Sequence, residues 1–119
     1  MSYYFEVDGE TVWNPALQPG LLFVAVAHRL ADVLELPSGL APGVDDICRV
    51  DVAVFGRFVG ALHDRYFSSG HKVQRGLLRG VLLPSLVVLE RADAPIVPAD
   101  DGQRALREEA LVLARTMAT

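Results

Sequence analysis

The sequence is poor in cysteine and has no long hydrophobic run, and each lack excludes a class of protein. Its one cysteine, Cys48, cannot form an internal disulfide framework, so a reduced, cytoplasmic setting is expected. No N-terminal stretch has the pattern of a signal peptide. The longest uncharged apolar runs, 19–27 and 80–89, fall short of the roughly 20 residues that a bilayer crossing needs, so no membrane partner is expected.

Recognised catalytic motifs are also absent. The sequence has no Gly-x-Ser-x-Gly elbow, Walker loop, dinucleotide fingerprint, His-Glu-x-x-His helix or paired-cysteine motif. We therefore predict no cofactor and no metal, and the favoured interpretation assigns no catalytic residue. Because this argument rests on absence, it leaves a compact enzyme open as an alternative.

The composition is that of a globular protein with separated charge. Of the 119 residues, 51% are hydrophobic and 22% are charged, which is too apolar for a disordered chain and suits one domain, 1–119. Residues 1–51 carry eight acids and two bases, whereas residues 52–79 carry five bases and one acid. The net charge of −4 makes nucleic acid a poor partner, but the basic centre could bind one anionic surface.

The hydrophobic pattern predicts an α+β fold that is mostly α. Asp8 and Gly9 supply a turn between two strand-forming runs, so residues 1–16 form an N-terminal β-hairpin. This hairpin packs on a bundle of about four helices within 20–119. The nearly all-apolar stretch 21–36 is predicted to be the central core helix, and the Pro- and Gly-rich residues after it the longest loop.

Capping residues and apolar spacing place the other three helices. Asp51 is expected to begin the second helix and Gly70 to end it, and Asp100 or Asp101 begins the last. The third helix is predicted to start near His71. We expect three residues to form its inner face: Val73, Leu77 and Val81. Pro84 leaves two alternatives, one kinked helix over 72–92 or two abutting helices.

Several small constellations have a structural interpretation that we favour over a functional one. His28 and Asp32 have the spacing of two metal ligands, but they also belong to the polar stripe of an apolar helix. Cys48 lies among acids that raise a thiol pKa, which favours a structural cysteine. Two Gly-x-x-x-Gly pairs, Gly56/Gly60 and Gly76/Gly80, indicate close helix contacts, which we expect within the bundle rather than between subunits.

The basic centre includes a ridge on the third helix. Lys72, Arg75 and Arg79 fall within about a 60° arc of the helix, on the side away from its expected inner face. Arg65 and His71 extend this ridge at the helix N-terminus, where free N–H groups favour anions. A solvated face is the simplest interpretation, followed by a contact with an acidic protein and then by a phosphate or nucleic-acid contact.

The hairpin carries aromatic side chains on both of its faces. Because neighbouring side chains of a strand alternate, Tyr4 lies opposite Tyr3 and Phe5. With Trp13 in the second strand, this is more than one buried face requires. We therefore predict that the hairpin belongs to an interface with the same chain or another protein.

The runs "YYFEV", "VWNP" and "DDICRVD" resemble segments of small uncharacterised proteins common in high-GC bacteria. This resemblance implies a bacterial source and no particular activity. From the residues themselves we expect a non-enzymatic protein-interaction module, such as an immunity-like or accessory protein that binds or masks a partner, with self-association as a homodimer as another use. The expected binding residues are Tyr4, Trp13, Arg65, His71, Lys72, Arg75 and Arg79.

The alternative is a small-molecule-binding protein or compact enzyme. Its pocket would lie between the hairpin and the helices and be lined by Tyr4, Trp13 and Tyr66. His63 would then serve as the acid or base, with Tyr66 as its catalytic companion. A dry, enclosed cavity there would favour this alternative, whereas an aromatic and charged surface would favour the interaction module.

Overall fold

The computed structural model describes residues 1–119 and has a four-stranded sheet with four helices. The fold is α+β and mostly α, as predicted, and it begins with the expected hairpin. The elements in chain order are β1 (Tyr4–Val7), β2 (Glu10–Trp13), α1 (Leu17–Leu34), β3 (Leu40–Pro42), β4 (Ile47–Val50), α2 (Val52–Ser68), α3 (Lys72–Arg91) and α4 (Asp101–Ala114).

The sheet has two hairpins rather than one. Its strand order is β2-β1-β4-β3, with β1 and β4 parallel and the two outer pairs antiparallel. The prediction of a long loop after α1 was therefore wrong, because β3 and β4 form a hairpin there. With three and four residues, these strands are too short for alternation to separate them from a turn-rich loop.

Helix α1 lies at the edge of the fold, so its prediction as the central helix was wrong. Its buried residues, among them Gly20 and Phe23, lie on one face, while Leu22 is 66% exposed and Val33 is 70% exposed. Gly20 lets this face approach Tyr3, the residue before β1, since a Cβ there would meet the Tyr3 side chain at 2.8 Å. By length and composition alone α1 is apolar enough to cross a membrane, with a mean hydropathy of 1.3 and 28% of it buried.

Helix α3 is the element around which the helices assemble, since it contacts α1, α2, α4 and β2. It runs unbroken through Pro84, which decides between the two alternatives in favour of one continuous helix. Its inner face differs from the predicted one. Only Val81 of the expected residues is buried, whereas Val73 and Leu77 are 65% and 67% exposed. The core side of α3 is formed by Leu78, Val81, Leu82, Ser85, Val87, Val88 and Leu89.

Side-chain caps fix the starts of the last three helices. The carboxylate of Asp51 accepts a hydrogen bond from the Val54 amide at 3.2 Å, and that of Asp100 accepts from the Gln103 amide at 2.8 Å. His71 caps α3 through Nδ1, which accepts from the Gln74 amide at 3.4 Å. Helix α2 ends at Ser68 with an extended Ser69, so Gly70 is not its left-handed stop.

Candidate functional site

An apolar groove lies between α1, α3 and the segment that follows α4. Its volume is about 950 Å³, and 11 of its 19 lining residues are hydrophobic. The floor consists of side chains that are buried in the core: Trp13, Phe23, Val81 and Met117. Trp13 and Phe23 meet edge to face, with ring centroids 5.3 Å apart, an arrangement that stabilises aromatic pairs.

The walls of the groove are side chains that the fold leaves exposed. Leu22 and Val26 of α1 form one wall, and Leu77 of α3 belongs to the other. Gly76 and Gly80 lie in the same α3 wall, and a Cβ on either would meet nothing within 4 Å. Close packing within the chain therefore does not explain these glycines.

The second glycine pair gives the same result. A Cβ on Gly56 or Gly60 of α2 would also meet open space. The expectation that both Gly-x-x-x-Gly pairs make close contacts inside the bundle was wrong. A glycine in a helix lowers the stability of the helix by up to about 1 kcal/mol relative to alanine. Gly76 and Gly80 therefore make α3 less stable without allowing a close contact inside the chain.

Polar groups are few in the groove. Its only charged residue is Arg79, which donates to the Tyr66 hydroxyl at 3.3 Å and forms an ion pair with Glu109. The hydrogen bond that Arg79 donates to Tyr66, and then the contact with Glu109, raise the pKa of the Arg79 guanidinium above its ordinary value. The Asn14 side-chain oxygen is buried without a hydrogen-bond partner. These groups do not include an acid–base pair or a nucleophile beside a base.

The predicted basic ridge is divided by the packing around Tyr66. The Arg75 guanidinium lies over the Tyr66 ring, 4.4 Å from its centroid, and Arg79 bonds the hydroxyl of the same residue. These two arginines therefore hold α2 and α4 against α3. Arg65 and Lys72 remain exposed. His71 is exposed as well, and its imidazole caps α3.

The two predicted aromatic anchors of the hairpin are not brought together. Trp13 is 8% exposed and lies in the groove floor, whereas Tyr4 is 38% exposed and is not among the groove residues. The outer edge of β2 is covered, because the Arg91 side chain donates to the Val12 carbonyl at 2.8 Å and the Asn14 amide donates to the Ala118 carbonyl at 2.7 Å. These two hydrogen bonds cover this edge at Val12 and Asn14, which limits strand pairing with another chain there.

His63 lies apart from the groove. It is buried, its ring centroid lies 4.9 Å from that of Phe67, and desolvation holds the pKa of its imidazole below the ordinary value of 6.5. It lines a cavity of about 20 Å³ with Glu90 and Arg107. This volume suits one water molecule and no larger ligand. His63 and Tyr66 thus do not share a pocket with Trp13.

The remaining candidate residues, Cys48, His28 and Asp32, have structural surroundings. Burial raises the pKa of the Cys48 thiol to about 12, which favours the protonated thiol over the reactive thiolate. The His28 Nε2 lies 3.0 Å from the Leu40 carbonyl and fastens α1 to β3. Asp32, its proposed companion ligand, instead lies 3.8 Å from the Arg29 guanidinium.

The whole chain matches the model of one protein family. A family model described as a family of unknown function (DUF6086) matches residues 1–119. The chain belongs to DUF6086. The expectation of an uncharacterised family is thereby confirmed. No curated protein and no solved structure matches this DUF6086 chain, so its groove is interpreted from its own geometry.

Sequence reasoning missed the groove walls. Leu22, Val26 and Leu77 were assigned to core faces because an apolar pattern does not say which apolar side of a helix faces inward. The signal that could have found them was the second apolar stripe on both α1 and α3. Gly76 and Gly80 were noticed, and the alternative of a contact between molecules stays open for them.

Proposed function

We propose that this protein is a non-enzymatic protein-interaction module that binds an apolar segment of a partner in the groove between α1 and α3. The observation that carries this proposal is the exposure of Leu22, Val26 and Leu77 around one continuous depression. Large apolar patches on soluble proteins mark interaction sites. An accessory or immunity-like role, in which the module masks part of a partner, fits this geometry.

The shape of the groove favours a helical segment as the occupant. Two roughly facing walls are supplied by α1 and α3, and an amphipathic helix binds such a groove through apolar side chains three and four residues apart. The exposed backbone at Gly76 and Gly80 permits close approach of a partner's main chain. Because Arg79 is already paired with Glu109, the floor and walls offer no free charge to a strongly anionic ligand.

The volume supports one second candidate, a small apolar ligand. Ligand pockets span about 300–1,000 Å³ and bury most of the ligand surface, and 950 Å³ lies within that range. An acid–base role for His63 and Tyr66 gains no support, since neither lines the groove. We also propose a cytoplasmic location, because the single cysteine, Cys48, is a buried free thiol and free thiols are typical of reducing compartments.

A photo-cross-linking amino acid placed at Leu77 tests the interaction function. We expect irradiation of intact cells of the source organism to link this variant to a specific protein. The matched control carries the same amino acid at Val44, a fully exposed apolar residue of the β3–β4 turn. Equal products at Leu77 and Val44 would contradict the groove as the contact surface. A small apolar molecule retained in native mass spectra, without a protein product, would favour the second candidate.

A further inference from the structure

Helix α3 leaves one backbone acceptor free in the wall of the groove. A helical carbonyl accepts from the amide four residues later, but Pro84 has no N–H to donate to the Gly80 carbonyl. Gly80 and Pro84 both line the groove, and the carbonyl points from the first toward the second. We propose that this carbonyl is the polar recognition point of the groove and accepts a hydrogen bond from the indole N–H of a partner's tryptophan. The inference rests on the groove being a protein-binding surface.

No side chain shields this carbonyl. Gly80 is exposed, and a Cβ built on it would meet no atom within 4 Å. Gly76, one turn earlier in the same wall, is equally open. A flat ring can therefore lie against the α3 backbone between these two residues, with its edge within reach of the Gly80 oxygen.

A second unpaired group in the groove is also an acceptor. Asn14 is a groove residue, and its side-chain oxygen is buried without a hydrogen-bond partner. While the groove is open, solvent can donate to the Gly80 carbonyl. A purely apolar ligand displaces that solvent and leaves the carbonyl unsatisfied, which costs more than a typical hydrogen bond contributes. The groove should therefore select ligands that bring a donor.

Tryptophan has the side chain that fits this combination. Its indole is large and apolar, and its one polar group donates and does not accept. A tyrosine hydroxyl also brings lone pairs, which match neither of the two free acceptors. A lysine would bring a charge without a free carboxylate, since Glu109 is already paired with Arg79.

The groove floor provides apolar and aromatic neighbours for such a ring. Trp13 and Phe23 lie there edge to face, and a partner's ring over α3 adds to this apolar surface. One aromatic side chain buries about 150–250 Å². The inference thus concerns a single anchoring side chain, of a type that often dominates binding energy, and requires no large contact area.

Two indole probes test the hydrogen bond on the purified full chain. Skatole is the tryptophan side chain without its backbone, and N-methylskatole replaces the N–H hydrogen with a methyl group. Titration of each probe, followed by the NMR shifts of the backbone amides, gives the two dissociation constants. We expect the Gly76 and Gly80 signals to move and skatole to bind about five- to tenfold more tightly, the effect of one neutral hydrogen bond.

A variant of the proline isolates the acceptor. In Pro84→Ala the new amide donates to the Gly80 carbonyl, so the two probes should bind within about twofold of each other. Leu77→Ala is the matched control, because it shortens an apolar side chain of the same wall and leaves the carbonyl free. It should weaken both probes and keep their ratio. Circular dichroism melting establishes that both variants are folded, and the comparison of the probes on the wild type needs no variant.

Three outcomes would overturn the inference. They are unmoved Gly76 and Gly80 signals with both probes, equal affinities of the two probes for the wild type, and a preference for skatole that persists in Pro84→Ala. The last outcome would mean that another acceptor, such as the Asn14 oxygen, takes the hydrogen bond.

The result is distinguishable from that for the proposed function. Failure of the probes, together with a specific cross-link from Leu77 to another protein in cells, overturns the tryptophan site and supports the interaction function. A preference for skatole that is lost in Pro84→Ala, without any such cross-link, has the opposite meaning.

Discussion

His63 is a buried imidazole whose protonation should control part of the stability. Desolvation lowers its pKa, while the nearby carboxylates of Asp64 and Asp100 partly oppose this shift. In the unfolded chain the imidazole takes up its proton near 6.5, but in the folded chain it does so only at lower pH. The contribution of His63 to stability is therefore complete above about pH 6.5 and is lost as the pH falls through its folded pKa.

The replacement His63→Phe keeps an aromatic ring beside Phe67 and removes the titration. We expect urea unfolding to show that the free energy of unfolding falls less between about pH 7 and pH 5 in this variant than in the wild type. The control Val44→Ala changes a fully exposed apolar side chain and should retain the wild-type pH dependence. Parallel pH profiles for His63→Phe and wild type would contradict the assignment.

Arg79 and Lys72 carry the same charge on one helix but have different surroundings. Arg79 bonds Tyr66 and pairs with Glu109, whereas Lys72 is exposed. Arg79→Glu should lower the free energy of unfolding by about 1–2 kcal/mol, because it removes a donor and places two carboxylates together. Lys72→Glu should change it by less than about 0.5 kcal/mol, since it lies at a helix N-terminus that accepts negative charge. If urea unfolding shows the same loss of unfolding free energy in both variants, the change in net charge, and not the contacts of Arg79, determines the effect.

At the scale of the element, Pro84 lies inside a helix without breaking it. The proline has no N–H for the Gly80 carbonyl, and exposed Gly80 leaves this carbonyl near solvent. Pro84→Ala should restore the helical bond and raise the free energy of unfolding by about 1–3 kcal/mol. Thermal and urea unfolding would measure the gain. A loss instead would show that the proline ring in the groove wall contributes more by packing than it removes from the helix.

The groove glycines offer a second test on the same helix. Gly76→Ala and Gly80→Ala each add a methyl group to open space, so each should stabilise the folded chain by about 0.5–1 kcal/mol. Gly56→Ala on α2 is the control for a gain that comes from helix propensity alone. Urea unfolding of the three variants should give similar increases, and a loss confined to Gly80→Ala would reveal an intramolecular contact at that position.

The elements that the sequence predicts well are those with strong local signals. The Asp8-Gly9 turn, with φ of 50° and 83°, and the Asp51 cap act through neighbouring residues, and both were found. Helix α3 shows where such reasoning stops. It has two apolar stripes, and only packing decides that Leu78 and Leu82 face inward while Val73 and Leu77 remain outside.

At the scale of the whole molecule, the candidate site could not have been predicted from local patterns. The groove floor joins Trp13, Phe23, Val81 and Met117, which are far apart along the chain. Their convergence depends on α1 packing across the sheet and on α3 packing between α2 and α4. Of the predicted binding residues, Trp13 and Arg79 reach this site, whereas Tyr4, Arg65, His71, Lys72 and Arg75 do not.

Arg91 links the main parts of the fold and was not predicted from sequence. Its guanidinium donates to the carbonyls of Val12 at 2.8 Å, Ala114 at 3.2 Å and Met117 at 2.7 Å. It thereby connects α3 with the outer strand and with the segment that follows α4. Desolvation lowers the pKa of this guanidinium, so its burial is tolerated because the three carbonyls satisfy its donors.

Replacing Arg91 should therefore weaken both the contact of α3 with β2 and its contact with the segment that follows α4. Arg91→Ala leaves the carbonyls without donors, and we expect it to lower the free energy of unfolding by about 2–4 kcal/mol. Arg91→Lys should recover only part of this loss, because one ammonium cannot reach three divergent acceptors in a fixed geometry. Arg107→Ala, which removes the more exposed ion pair with Glu90, is the control and should cost under about 1 kcal/mol.

Hydrogen exchange should also quicken at the Asn14 amide in Arg91→Ala, since the segment that covers β2 is released. Unchanged exchange there, with a loss no larger than that of Arg107→Ala, would mean that hydrophobic packing alone joins the sheet to the helices.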